Sequence, residues 1–369
     1  MTTAGSILVP GAGVHGLPRP EPDPALWEAV LSAGFREFPE RKKNWDLYLR
    51  ERFHSDEVRY LPVKMDIENV SRCNFRCTMC QVSDWAGGKR ARDLTLQEFK
   101  DFLLQQVGIT EIKLQGLGEP LLGPDFFEMI RFARSRHIWV RVTTNSSLLH
   151  HKENYRHLVD SDVCEVQMSL DGATPEVFEA IRRGGRFSQV TQNMRLFNEY
   201  ASSQSRLRSK MWVVVQEKNF DQLEKFPALA AELGFRRLVF SLELTDWGQK
   251  KWQETNRRVY RADQFTSERG QRLVKLGEEA GVDVRFWYID EQYDLKVREK
   301  LCPWPWNRAY VSSDMRVVPC CKVGNPQVYD LGPAENFEET WNSDKYRAFR
   351  RMHMQGKLPF ICKSCYGSS

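Results

Sequence analysis

Between residues 60 and 242, short runs with the two-residue alternation of a strand take turns with segments whose apolar residues recur at helical spacing. Strands are expected over 60–68, 111–114, 138–144, 163–170, 211–215 and 237–242. Helices are expected after Thr95, over 125–136 and 153–159, after Thr174, and over 190–200 and 221–233. The starts carry their own signals: Thr95-Leu96-Gln97-Glu98 is a capping box whose Phe99, Phe102 and Leu103 share a face, and Thr174-Pro175 places proline in a first turn. Six strand-then-helix units demand a parallel sheet with right-handed crossovers, either a curved, partly open barrel or a flat doubly wound sheet.

Outside this core the pattern changes. Met1 to Pro24 is rich in Gly and Pro and reads as a mobile arm or a draped segment; Gly11-Ala12-Gly13 follows no strand, so it is not a dinucleotide-binding loop. Asp23-Pro24 caps a helix through Leu26, Val30 and Leu31, and a second amphipathic segment covers 45–53. Residues 246–266 read as an irregular, charged insertion, followed by a helix over 268–280 and an apolar strand over 282–289.

With 369 residues, the chain has room for one large domain and an appendage, and a net charge of +5 is too mild to imply a nucleic-acid partner. The run Lys89-Arg90-Ala91-Arg92 is expected to be a solvated face. Nine cysteines, an odd and clustered set, argue for metal rather than a disulfide framework and for a reducing compartment. No apolar run approaches a membrane span and no secretion signal opens the chain, so the expected location is the cytoplasm, with no membrane partner.

Cys73, Cys77 and Cys80 are separated by three and then two residues, in a loop that leaves the first strand at its C-terminal end, where α/β folds place their chemistry. Thiolates are soft ligands suited to iron–sulfur clusters or zinc. Three of them leave one metal of a cubane without a protein ligand, free to chelate a molecule through N and O donors. A strand followed by C-x3-C-x2-C resembles the radical S-adenosylmethionine (SAM) family. The resemblance selects the barrel, and it implies a [4Fe–4S] cluster that reductively cleaves SAM to a 5′-deoxyadenosyl radical.

Further motifs follow in the family's order. Leu117-Gly118-Glu119-Pro120 resembles its GGEP turn, with Leu117 replacing the first glycine, and implies that Glu119 receives the SAM amino group. Thr143-Thr144-Asn145 resembles the TNG position, with Ser146 where glycine is expected. Ser169-Leu170-Asp171-Gly172 resembles S-x-D-G; Ser169 and Asp171 alternate onto one side, where they would bind the ribose or carboxylate of SAM. Ile181-Arg182-Arg183-Gly184-Gly185 is similar to I-R-x-G-G and makes Arg182 a carboxylate partner. Gln216 is a weaker candidate for the same pocket.

Near the C-terminus, Cys302 and Cys320 flank an expected hairpin (309–311 and 316–318 around the turn 312–315), and Cys362-Lys363-Ser364-Cys365 follows a helix expected over 336–354. The four cysteines Cys302, Cys320, Cys362 and Cys365 can converge. They resemble the Twitch domain, the shortened relative of the SPASM domain, which implies one auxiliary [4Fe–4S] cluster; spacing alone equally permits a structural zinc. Trp304 and Trp306 are expected to pack around the hairpin, and Cys164 to be a small buried hydrophobe. Cys321 has three readings: alternative ligand, packed thiol or hydrogen-atom donor.

The expectation is therefore an α/β chain: a helical N-terminal extension (1–60), a partial (β/α)6 TIM-like barrel (61–298) and a small Twitch-like Fe–S domain (299–369). The resemblance implies an oxidoreductase that uses SAM and two [4Fe–4S] clusters with a flavodoxin or ferredoxin as reductant. Its expected action is dehydrogenation of a small polyhydroxylated, sugar- or aminocyclitol-like substrate. The alternatives are a sugar epimerase with Cys321 as donor, a ribosomal-peptide maturase, and a non-catalytic Fe–S or zinc scaffold.

Overall fold

The computed structural model describes residues 14, 16–288 and 293–366. Gly11-Ala12-Gly13 and the end of the strand expected at Ile289 lie outside the described residues. In chain order the strands are β1 (Lys64–Ile67), β2 (Arg76–Cys77), β3 (Glu111–Leu114), β4 (Trp139–Thr144), β5 (Glu165–Ser169), β6 (Arg182–Arg183), β7 (Ser209–Val214), β8 (Arg237–Ser241), β9 (Asp283–Trp287), β10 (Arg308–Val311), β11 (Arg316–Val318) and β12 (Gly332–Pro333). The helices are α1 (Pro24–Glu37), α2 (Pro39–Glu51), α3 (Leu96–Gln105), α4 (Phe126–Ser135), α5 (Asn154–Asp160), α6 (Pro175–Ile181), α7 (Phe187–Ser203), α8 (Phe226–Glu232), α9 (Lys250–Val259), α10 (Ser267–Ala280), α11 (Trp304–Asn307), α12 (Phe337–Trp341), α13 (Asp344–Met354) and α14 (Phe360–Lys363).

The main sheet has the order β12-β11-β10-β1-β3-β4-β5-β7-β8-β9. Every pairing from β10 to β9 is parallel, so the six expected core strands are extended by β9 at one side and β10 at the other. The C-terminal hairpin β10–β11 thus continues the barrel wall, with Asp66 paired to Tyr310 and Ile67 to Val311. The apolar alternates of β3, Ile112 and Leu114, are fully buried in one core with Phe99 and Phe102 of α3 and Met129 and Ile130 of α4. Each such side chain contributes about 1.5–3 kcal/mol on burial. The other alternates, Glu111 and Lys113, face the barrel interior.

The helical caps form as their residues dictate. Asp23 accepts from the amide of Leu26 at 3.0 Å, and Thr95 and Glu98 complete the capping box. Trp27 of α1 meets Trp139 edge-to-face at 5.2 Å and, with Val30 and Cys164, closes the N-terminal end of the barrel. The segment before α1 is pinned from Val14 onward: Phe286 donates its amide to the Pro18 carbonyl (2.8 Å) and Tyr288 its hydroxyl to Leu17 (3.0 Å).

Four expectations need correction. Residues 246–266 contain helix α9, which clamps the cysteine loop: Trp247 Nε1 and Asn256 Nδ2 donate to the Met79 carbonyl at 3.0 and 3.2 Å. The helix expected over 336–354 breaks into α12 and α13, because Ser343 accepts from the Tyr346 amide and starts a new helix. The segment 221–233 begins within a 3-10 turn and becomes α-helical only at Phe226. Arg90 is not solvated: it is buried between Glu68 (3.0 Å) and Asp314 (2.9 Å), while Arg92 is the exposed partner of Glu98.

Candidate functional site

The loop after β1 is held by its own backbone and by distant strands. Cys73 donates its amide to the Gly88 carbonyl (3.2 Å), Cys80 to Cys77 (3.1 Å), and Thr78 to Ile181 (3.0 Å). Short β2 pairs antiparallel with β6, placing Cys77 opposite Arg182, so the I-R-x-G-G segment is the other half of the cysteine loop's ladder. Gly184, at φ +91°, turns the chain out of that ladder through a region L side chains rarely adopt. Burial pushes the Cys73 thiol up to about 12, with Glu119 and Cys77 adding repulsion, and raises Cys77 and Cys80 as well. Three half-buried thiols with raised pKa values become thiolates only beside compensating positive charge, which iron would supply. The loop therefore fits a cationic group.

Gly118 makes the turn below this loop possible. A Cβ there would lie 2.2 Å from the Val70 carbonyl and 2.6 Å from that of Arg72. The following Glu119 donates its amide to Arg72 (2.9 Å) and is only 3% exposed. Its Oε1 accepts from Thr144 Oγ1 (2.6 Å) and the Leu121 amide (3.3 Å), and its Oε2 from the Asn145 amide (2.7 Å). That leaves Oε2 with acceptor capacity. Burial outweighs these bonds and holds the carboxyl up at about 7. Asn145 links the groups: its Nδ2 lies 3.8 Å from Cys73 Sγ and donates to Asn74 Oδ1 at 2.9 Å. Ser146, with φ +62°, occupies the left-handed conformation that explains why glycine is expected at that position.

Gly118, Glu119, Asn145, Ser169 and Arg182 all line one cavity of about 710 Å³, together with Cys73, Cys77 and Cys80. Three expected contacts do not line it. Asp171 is fully buried, its Oδ1 accepting from the Val214 amide (2.8 Å) and its Oδ2 paired with Arg182 (2.8 Å), so it positions Arg182 instead of facing a ligand. β5 ends at Ser169, and the alternation that would have brought Asp171 to the same side ends with it. Gln216 is buried away from the cavity and caps the next turn with Asn219. Pro120 is buried in the first turn behind Glu119, where its carbonyl accepts from Asn69 (2.9 Å).

Three of the second cysteine set, Cys302, Cys320 and Cys365, border the same cavity, as does Cys321, whereas Cys362 does not line it. Burial, then mutual repulsion, raises the thiols of Cys302 (to about 12), Cys320 and Cys362, and each of these three feels Cys365. Tyr366 receives the Cys302 amide (2.8 Å) and bonds His353 Nδ1 (2.7 Å), while His353 Nε2 lies 3.6 Å from Cys362 Sγ. These four also fit a cationic cluster. Among the described residues no group of three His, Cys, Asp or Glu side chains gathers around a single-ion position. Cys321 faces the cavity beside Asp66 and Lys113, whose charges act on its thiol after burial has raised it. Trp306 packs as expected, fully buried, but Trp304 lines the cavity with Arg308 5.0 Å over its ring.

Sequence reasoning missed the barrel interior: Asp66, Glu111, Lys113, Arg141, Glu165, Lys210 and Arg308 all line the cavity. The signal was present. A strand buried on both faces reads as a continuous apolar run, whereas Glu111-Ile112-Lys113-Leu114 alternates, which in a helix-covered parallel sheet means a polar hollow inside.

Residues 69–240 match the family model of the radical SAM superfamily, and residues 302–366 match that of an iron–sulfur cluster-binding domain, SPASM. The chain is 32% identical over 195 residues to the mycofactocin maturase MftC of Mycolicibacterium smegmatis, a match covering 52% of this chain and 48% of that protein. It thus spans about half the length of the first curated relatives it matches. A longer match, 26% identical, covers 82% of this chain and 79% of the PqqA peptide cyclase of Ruegeria pomeroyi. The solved structure of Streptococcus suis SuiB bound to precursor peptide SuiA shares the fold, with a TM-score of 0.65 and 13% identity over 89% of this chain and 75% of that one. With the motifs in order around one cavity, these matches make the chain a radical SAM enzyme carrying a C-terminal SPASM-type iron–sulfur domain.

Proposed function

We propose that this enzyme oxidises a peptide, with Cys73, Cys77 and Cys80 holding the [4Fe–4S] cluster that binds SAM and Cys302, Cys320, Cys362 and Cys365 holding one auxiliary cluster. The observation that carries the reading is that both cysteine sets border a single cavity of about 710 Å³. The peptide assignment rests on sequence similarity to a maturase and a peptide cyclase, and it displaces the sugar-like substrate favoured from the motifs alone. When bound, the first cluster and SAM supply a 5′-deoxyadenosyl radical able to take hydrogen from an unactivated carbon.

The chain's own residues bind, orient and screen. Glu119 keeps one acceptor position for the SAM ammonium, Asn145 ties that carboxylate to the cysteine loop, and Ser169 and Arg182 offer a hydroxyl and a guanidinium to its polar end. Trp27 and Trp139 close the barrel below, keeping water from the reacting carbon. A flavodoxin or ferredoxin is the proposed reductant.

A second reading, oxidation of a sugar-like ring, is favoured by the tryptophans and charged groups that line the cavity, Trp287 and Trp304 among them. Anaerobic incubation of the reconstituted enzyme with SAM, reductant and any short peptide encoded beside its gene, against a panel of sugars, separates the two. A peptide lighter by two hydrogens, with matching 5′-deoxyadenosine, is expected; an oxidised sugar beside an unchanged peptide refutes the peptide reading.

A further inference from the structure

The parallel register places five polar side chains in one layer across the barrel interior. Tyr310 is opposite Asp66, Asp66 opposite Lys113, Lys113 opposite Arg141, and Arg141 opposite Glu165. In a filled barrel such a layer is packed with branched apolar residues. Here it is the wall of the cavity.

Charge is unevenly distributed over it. Glu111, one layer below, receives Lys64 (2.7 Å), Arg141 (3.0 Å) and Arg308 (3.2 Å), while Glu165 receives Lys210 (2.8 Å). Asp66 stands 3.7 Å from Arg308. Five cations thus face three carboxylates, and Lys113 is the one left over: no acceptor lies within bonding distance of its ammonium among the described residues. The Tyr310 hydroxyl is likewise without a partner, although the side chain is 2% exposed and lines the same cavity. A half-buried unpaired ammonium and a buried unpaired hydroxyl disfavour the fold unless a ligand pairs with them.

We propose that Lys113, with Arg141 beside it in the layer and the Tyr310 hydroxyl beyond Asp66, anchors a carboxylate of the substrate inside the barrel, below the strand ends that carry Glu119 and the cysteine loop. Five cations against three carboxylates leave an excess of two positive charges, which accommodates carboxylates whose charges lie apart; a phosphate, with both charges on one centre, would be repelled by Asp66, Glu111 and Glu165 around it. This deepens the proposed function, since it rests on the cavity being the reaction chamber and names what the substrate must carry there.

The test uses reconstituted holoenzyme and glutarate as probe, with glutaramide as its neutral analogue and inorganic phosphate as the competing anion. Wild type is expected to bind glutarate saturably and glutaramide not at all. Lys113→Met should weaken glutarate by at least roughly tenfold, Lys113→Arg should restore most of it, and Tyr310→Phe should cost about threefold, in line with charge-assisted bonds being stronger than neutral ones. Because Lys113→Met removes an unpaired, half-buried charge, its thermal midpoint should stay level or rise. Equal glutarate affinity in wild type and Lys113→Met, a preference for phosphate, or no glutarate binding by wild type each overturns the proposal. SAM cleavage is followed separately in wild type, so failure of the radical SAM reading is seen independently of the anion site.

Discussion

The pH dependence of SAM binding follows from the surroundings of Glu119. Its carboxyl is buried at the foot of the cysteine loop, and burial holds it at about 7 despite the donors Thr144, Leu121 and Asn145. Because the pKa is raised, the neutral form is the stable one at low pH, and the unliganded protein loses that contribution as pH climbs from the ordinary carboxylate range through 7. An ammonium needs the ionised form. With a pKa of about 7, roughly one molecule in eleven is ionised at about pH 6 and roughly three in four at about pH 7.5. SAM should therefore bind roughly eightfold more tightly at the higher pH, and flatten above it as an α-amino group begins to lose its own proton near 8. Glu119→Gln should remove the pH dependence and weaken binding by roughly 2–5 kcal/mol, the range for a buried charge left without its partner. Equilibrium dialysis of SAM against anaerobic holoenzyme at the two pH values measures both. Wild-type affinity independent of pH, or unchanged affinity in the Gln variant, refutes the placement of Glu119 against the SAM amino group.

Two further outcomes follow. Arg90→Met leaves the fully buried Glu68 and the Ser313 turn without their strut, so urea unfolding should show a loss of roughly 3–5 kcal/mol, whereas Arg92→Met, on the exposed neighbour, should change stability by less than about 1 kcal/mol. Cys321→Ala should retain two-electron oxidation at the wild-type rate if the auxiliary cluster takes the second electron; a stalled turnover with a product quenched from solvent would instead make Cys321 the hydrogen-atom donor.

What could be read in the sequence was what is local. The capping box at Thr95, the strand 111–114 and the hairpin around 312–315 are patterns within a few residues, and they stand as expected. Arg90 was misread because its partners are 22 and 224 positions away, and a basic run says nothing of them. Asp171 was misplaced because alternation was carried past the end of β5. Helix α9 was missed because only one face matters there: Trp252 and Asn256, four apart, are its buried residues, and the rest is mostly charged or polar. The continuation of the barrel into β10 depends on pairing between Met65 and Ala309, which no local pattern encodes. The charged interior was legible in the alternation of β3, but knowing which side faces inward requires the crossovers.

The central claim is that two cysteine sets bordering one cavity each hold a cluster, and metal analysis tests it most directly. Anaerobically reconstituted wild type should contain about eight iron and eight sulfide per chain, one cubane per set. Replacing Cys73, Cys77 and Cys80 together with Ala should leave about four of each and abolish SAM cleavage. Four irons with one stoichiometric zinc in the native protein, or eight irons remaining in the triple variant, would contradict it.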